Sequence, residues 1–192
     1  FVSEAIDKYS ARLATWAGGN MRNAIPFEAE VVLTLPKDKV TALKTRVDEW
    51  KTCFNSEYKG IENDIIFFAE DTPMPSKQVP EDVQNNLIRA IYACHNGVIR
   101  FIPTIPEKVE TSSNLAIVEI GSGKAFVKVL ARSSSETMKE YVSKTVESAF
   151  QLIGMTTTRD GDYMGWNPNT DSEIVKIMAG IYQNLFNEAP RI

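Results

Sequence analysis

The sequence predicts an α+β fold. We expect two ferredoxin-like halves, each an antiparallel sheet with its helices on one face, the first half lacking its opening strand. Three observations predict it: apolar residues recur at helical spacing in five stretches, short alternating runs lie between those stretches, and a Pro-rich break separates two parts with a similar order of elements. A chain of 192 residues, 43% hydrophobic and 24% charged, can bury a core without staples. No apolar run approaches the roughly 18 to 20 residues needed to span a bilayer, so no membrane partner is expected. A net charge of −4 with no basic stripe argues against a nucleic-acid partner.

Phe1, Val2, Ala5, Ile6, Tyr9 and Leu13 step at helical spacing from the first residue. No Ser, Thr, Asp or Asn stands ahead of Phe1 to cap the free amides, so the chain is expected to begin inside a helix, as a piece of a longer polypeptide. Gly18 and Gly19 break the pattern, and Phe27, Ala29, Val31, Leu33 and Leu35 then alternate with Glu28, Glu30, Val32 and Thr34, as in a half-buried strand. Pro36 and Asp38 open a second helix with the stripe Val40, Leu43, Val47, Trp50, Phe54 and Tyr58, ending at Gly60. The apolar run 65–69 is too short for a helix and reads as a strand. Pro73, Pro75 and Pro80 mark a linker between halves spanning 1–72 and 79–168.

Pro80, Glu81 and Asp82 suit a helix first turn, where a missing amide costs nothing and negative charge meets the dipole. Val83, Leu87, Ile88, Ile91 and Cys94 form the apolar face of that helix. Runs 115–120 and 124–131 flank Gly121-Ser122-Gly123 and should pair as a hairpin. Ser133 and Glu136 have capping-box spacing before a helix with Met138, Val142, Val146, Ala149 and Ile153, stopped by Gly154. Thr170 and Glu173 repeat the box ahead of a final helix over 171–187 with Ile174, Ile177, Met178, Ile181 and Leu185.

A single histidine limits the chemistry, because zinc sites and most acid-base sites draw on clustered His, Cys and carboxylates. His95, beside Asn96-Gly97, reads as a helix-end residue near the negative pole of the dipole. Cys53 and Cys94 lie on different helices outside any C-x-x-C pair; reduced thiols are expected, which points to the cytoplasm. Asp160-Gly161-Asp162 lacks the rest of a calcium loop and reads as a solvated turn. Gly18-Gly19 and Gly121-Ser122-Gly123 lack the Lys of a phosphate loop.

Two polar residues stand out by their company. Asn23 lies between flexible glycines and the stiffening Pro26; it either satisfies its own turn or holds an amide donor toward a carbonyl oxygen gaining charge. Arg132 closes a strand on the face of Phe126, Lys128 and Leu130; it either pairs with a rim glutamate or offers its planar fork to a carboxylate.

Gly18-Gly19 with Arg22-Asn23-Ala24-Ile25-Pro26, Asn96-Gly97-Val98-Ile99-Arg100, and Val109-Glu110-Thr111-Ser112 with Asn114 begin a series of short motifs. Arg132-Ser133, Gly165-Trp166 with Pro168, and Leu185-Phe186-Asn187 with Pro190 complete it. In this order and spacing the chain resembles, from end to end, the aminoacyl-histidine (Xaa-His) dipeptidases, or peptidase D family, cytosolic zinc metallopeptidases related to carnosinases and aminoacylases. The resemblance implies a lid domain, residues 1–192 forming most of it, without the family's metal ligands and therefore inactive alone. It implies two zinc ions in an absent catalytic domain, which would be this chain's partner together with a dipeptide substrate. It places Asn23 at the scissile carbonyl and Arg132 at the substrate's terminal carboxylate, with no metal ligand in this stretch. Some relatives pair two lids across a homodimer. The rival class is a non-enzymatic ferredoxin-like module for small-ligand binding or dimerisation.

Overall fold

In the computed structural model, which describes residues 1–166, 168–169 and 171–190, a five-stranded antiparallel sheet carries the molecule. The chain runs α1 (Val2–Tyr9), β1 (Arg12–Gly18), β2 (Ala29–Thr34), a 3-10 turn (Lys37–Lys39) leading into α2 (Val40–Glu57), and α3 (Glu81–Ala93). It continues through β3 (Gly97–Ile102), β4 (Ile105–Gly121), β5 (Lys124–Ser133), α4 (Glu136–Gln151) and α5 (Glu173–Phe186). β4 is the long element. β5 pairs along one edge of it, while β3 and then β1 pair in succession along the other, and β2 pairs with β1.

The predicted hairpin forms with Ser122 at φ 51° and Gly123 at φ 76°. Positive φ at both central residues is the mirror-image turn whose twist matches paired strands. β4 starts ten residues earlier than its apolar run, because β3 pairs with the polar stretch 105–113.

Helices α1 to α4 cover one face. Leu13, Val118 and Ile120 pack with Leu87 of α3, and Trp16, Val31 and Leu33 join them. Ala5 of α1 and Leu43 of α2 pack with Leu33 and Leu35, and Val127 and Val129 meet Ala90, Cys94 and Phe150 of α3 and α4. On β5 these inward residues are odd-numbered. The even-numbered Phe126, Lys128, Leu130 and Arg132 therefore project from the face that carries none of α1 to α4.

Several elements differ from expectation. Leu13 belongs to β1 and not to the first helix, which ends at Ser10 in the left-handed conformation. Leu13 reads as helical because it follows Tyr9 by four residues, and in the fold a bulge between Leu13 and Thr15 sends Leu13 and Trp16 to the same face. Residues 65–69 form no strand. Phe67 packs edge-on against Phe1 and Phe54 while Ile66 and Phe68 stay exposed, so the run is an extended strap held by side chains. The Ser133–Glu136 capping box does not form: α4 is preceded by Ser135, Ser133 Oγ bonds Thr111, and Glu136 accepts from Gly165 N. Thr170 of the second expected box lies outside the described residues, and α5 begins after Ser172.

On α3 the buried face centres on Gln84, not on the half-exposed Val83. Gln84 Oε1 accepts the Leu13 amide at 2.6 Å, and the Arg12 guanidinium donates to Val79 O at 2.9 Å. These bonds fasten the end of the Pro-rich segment and the start of α3 to β1.

Candidate functional site

Asn23 sits in a turn closed by Ala24 N donating to Met21 O at 3.3 Å. Its side chain is exposed, and among the described residues it makes no hydrogen bond to its own turn or elsewhere. The turn is held from outside. Asn114 of β4 donates from one amide nitrogen to Arg22 O at 3.2 Å and to Ala24 O at 2.7 Å, the carbonyls of the two residues that neighbour Asn23. A second constraint acts at Gly19, which passes so close to Ala116 O of β4 that a Cβ there would lie 1.8 Å from it.

Register then relates the turn to Arg132. Ser112 pairs with Arg132 and Asn114 with Leu130, so Asn114 and Arg132 share the helix-free face as diagonal neighbours. Such neighbours lie about 7–8 Å apart in an antiparallel pair. Arg132 is exposed, and among the described residues it has no ion-pair partner. Glu110, two positions before Ser112, is held by Arg100 of β3, whose guanidinium keeps its carboxyl below the usual carboxylate range.

The same face carries further charge. Asp160 lies 3.8 Å from Arg22 and 3.6 Å from Lys128, bridging the turn to β5. Asp162 pairs instead with Lys139 of α4 at 2.9 Å, which lowers the pKa of its carboxyl, and the Asp160 and Asp162 pairs together hold the 158–165 segment in place. The expected solvated turn is thus exposed but ionically clipped. The Asn23 turn and Arg132 thus lie on one side of the sheet, the Asn23 and Arg132 side chains without a partner among the described residues, where an amide and a guanidinium suit a ligand with a carbonyl and a carboxylate.

Other candidates fall elsewhere. His95 follows α3, with Nδ1 2.8 Å from Ser113 Oγ, while that hydroxyl donates to His95 O at 2.7 Å. The single hydroxyl hydrogen is thereby used, so Nδ1 is the donor in that contact. Cys94 is buried, with its thiol pushed up to about 11 by desolvation, and Cys53 is raised by its hydrogen bond to Glu57; both are free. Among the described residues no three His, Cys, Asp or Glu converge on a metal-sized site. No described helix is long and apolar enough to cross a membrane.

Sequence reasoning quoted Asn114 only as part of a motif and gave it no task. The sequence carried little signal for it: Asn114 precedes the apolar run 115–120, and only the structure shows that it lies within β4.

No family model matches the chain. It is 30% identical over all 192 residues to a cytosol non-specific dipeptidase of Escherichia coli strain K12, and covers 40% of that protein. Its fold superposes with a TM-score of 0.92 on the crystal structure of aminoacylhistidine dipeptidase from Vibrio alginolyticus, at 30% identity, covering 99% of this chain and 39% of that one. The chain thus spans about two fifths of the length of each relative. In sequence and in fold the chain is similar to one region of these two dipeptidases, in keeping with the family its motifs resemble.

Proposed function

We propose that the chain is the lid of a dipeptidase that hydrolyses Xaa-His and other dipeptides, supplying substrate contacts and inactive by itself. The observation that supports this reading is that the Asn23 turn is bonded to Asn114 on the helix-free face, where Arg132 is its diagonal neighbour on β5. Asn23 donates to the scissile carbonyl oxygen as charge develops there, and the Arg132 fork takes the dipeptide's terminal carboxylate through two parallel hydrogen bonds. Closure of the lid expels water and aligns both contacts.

Two zinc ions belong to this reading, with their ligands in the part of the polypeptide that this chain does not span. The relatives' greater length supports such a part. Its docking surface is α5, whose Ile174, Ile177, Met178, Ile181, Leu185 and Phe186 are exposed at helical spacing. The bacterial relative is a cytosol dipeptidase, which supports a cytosolic location.

The test is steady-state hydrolysis of dipeptides by the full-length enzyme. Asn23→Ala should lower kcat by about a hundredfold or more with little change in KM, the usual loss for a donor to a developing oxyanion. Arg132→Ala should raise KM and weaken discrimination against C-terminally amidated substrates. A native kcat for Asn23→Ala would remove the carbonyl role.

A further inference from the structure

We infer that Asn114 is a positioning residue for Asn23, and this rests on the reading of Asn23 as the carbonyl donor. Asn23 has no hydrogen bond of its own among the described residues, so its pose depends on the backbone that carries it. That backbone is a short turn closed by a single long bond, Ala24 N to Met21 O. The two hydrogens of the Asn114 amide reach Arg22 O and Ala24 O, holding the 22–23 and 24–25 peptides that bracket Asn23 and so restricting the backbone that aims its side chain.

The anchor is itself rigid. Asn114 lies within β4, where Ser113, Asn114 and Leu115 pair with Ala131, Leu130 and Val129. Leu115 N additionally donates to Asn96 Oδ1 at 2.8 Å. Because Asn114 is a diagonal neighbour of Arg132, it fixes the Asn23 turn relative to the strand that bears the carboxylate-binding fork. A donor moved by about 1 Å from its working place costs on the order of a hundredfold in rate.

The experiment is a double-mutant cycle in the full-length enzyme with its metal, using a dipeptide substrate. Asn114→Ala should lower kcat about tenfold or more, while KM changes by less than about threefold. In the Asn23→Ala background the same substitution should have no further effect on kcat, because there is no longer a donor to position. Asn114→Asp keeps the shape and removes the donors; it should behave like the alanine variant and serves if that variant fails to fold. A native kcat for both Asn114 variants, with kcat reduced in Asn23→Ala, overturns the positioning role and leaves the carbonyl role standing. Multiplicative losses in the double variant also overturn it, since they assign Asn114 an effect independent of Asn23. A native kcat for Asn23→Ala overturns both.

Discussion

Gly19 lies at φ +70°, and a Cβ added there would meet Ala116 O at 1.8 Å and Ala116 C at 3.0 Å, both backbone atoms that cannot swing aside. Gly19→Ala therefore adds left-handed strain to a collision with the central strand. We expect a loss of about 2 kcal/mol or more, seen as a lower urea midpoint with an unchanged slope. Gly18→Ala meets only Ala29 Cβ at 3.1 Å and the Trp16 ring nitrogen at 3.3 Å, and should be milder. In the sequence this pair reads as flexibility; in the fold Gly19 is a close approach. Asn23 and Arg132 stand out in the sequence as polar residues in suggestive company, but Asn114, which holds the Asn23 turn, does not. Its partners are backbone carbonyls some ninety positions away, and a sequence does not display those.

Helices and strands were legible where periodicity was uninterrupted, as in α2, α4 and the β4–β5 hairpin. They were illegible where the spacing misled. Leu13 of β1 continues the helical step from Tyr9, and the first half of β4 is polar because side-chain pairs, not an apolar run, mark it as a strand. The 65–69 run shows the reverse error, an apolar sequence with no ladder partner among the described residues. Gln84 is a test at this scale, since it is fully buried and accepts the Leu13 amide. Gln84→Ala leaves that donor unsatisfied and opens a gap between α3 and β1. A loss of about 1–3 kcal/mol in equilibrium unfolding is expected from the stranded amide, before any cavity contribution. An unchanged midpoint would show that water or a shift of α3 replaces the bond.

Across the whole molecule, ion pairs tie remote segments together: Glu4 of α1 to Arg46 of α2, Glu140 and Glu147 of α4 to Arg159, and Lys139 to Asp162. The Glu4 carboxyl is held down to about 2 by Lys8, then by Trp50 and Arg46, and Glu110, Glu136, Glu140, Glu147 and Asp162 are lowered by their own hydrogen-bonded partners. Carboxyls depressed in the folded state stabilise it fully above their unfolded values near ~4 and lose that contribution as pH falls toward the folded values. Glu4→Gln should accordingly be less stable than the native chain at neutral pH, and the gap should close between about pH 4 and pH 2; a gap independent of pH would mean that the carboxyl's charge is not what stabilises. At the same scale, the two strands that share an edge of β4 do not meet: β3 pairs as far as Ser113 and β1 begins at Val118. That vacancy in the ladder is where the Gly19 backbone crosses and where the Asn96 side chain stands in for a missing strand. The sheet is in effect notched, and at the notch the β1–β2 loop leans onto the bare face, where the Asn114 amide catches it.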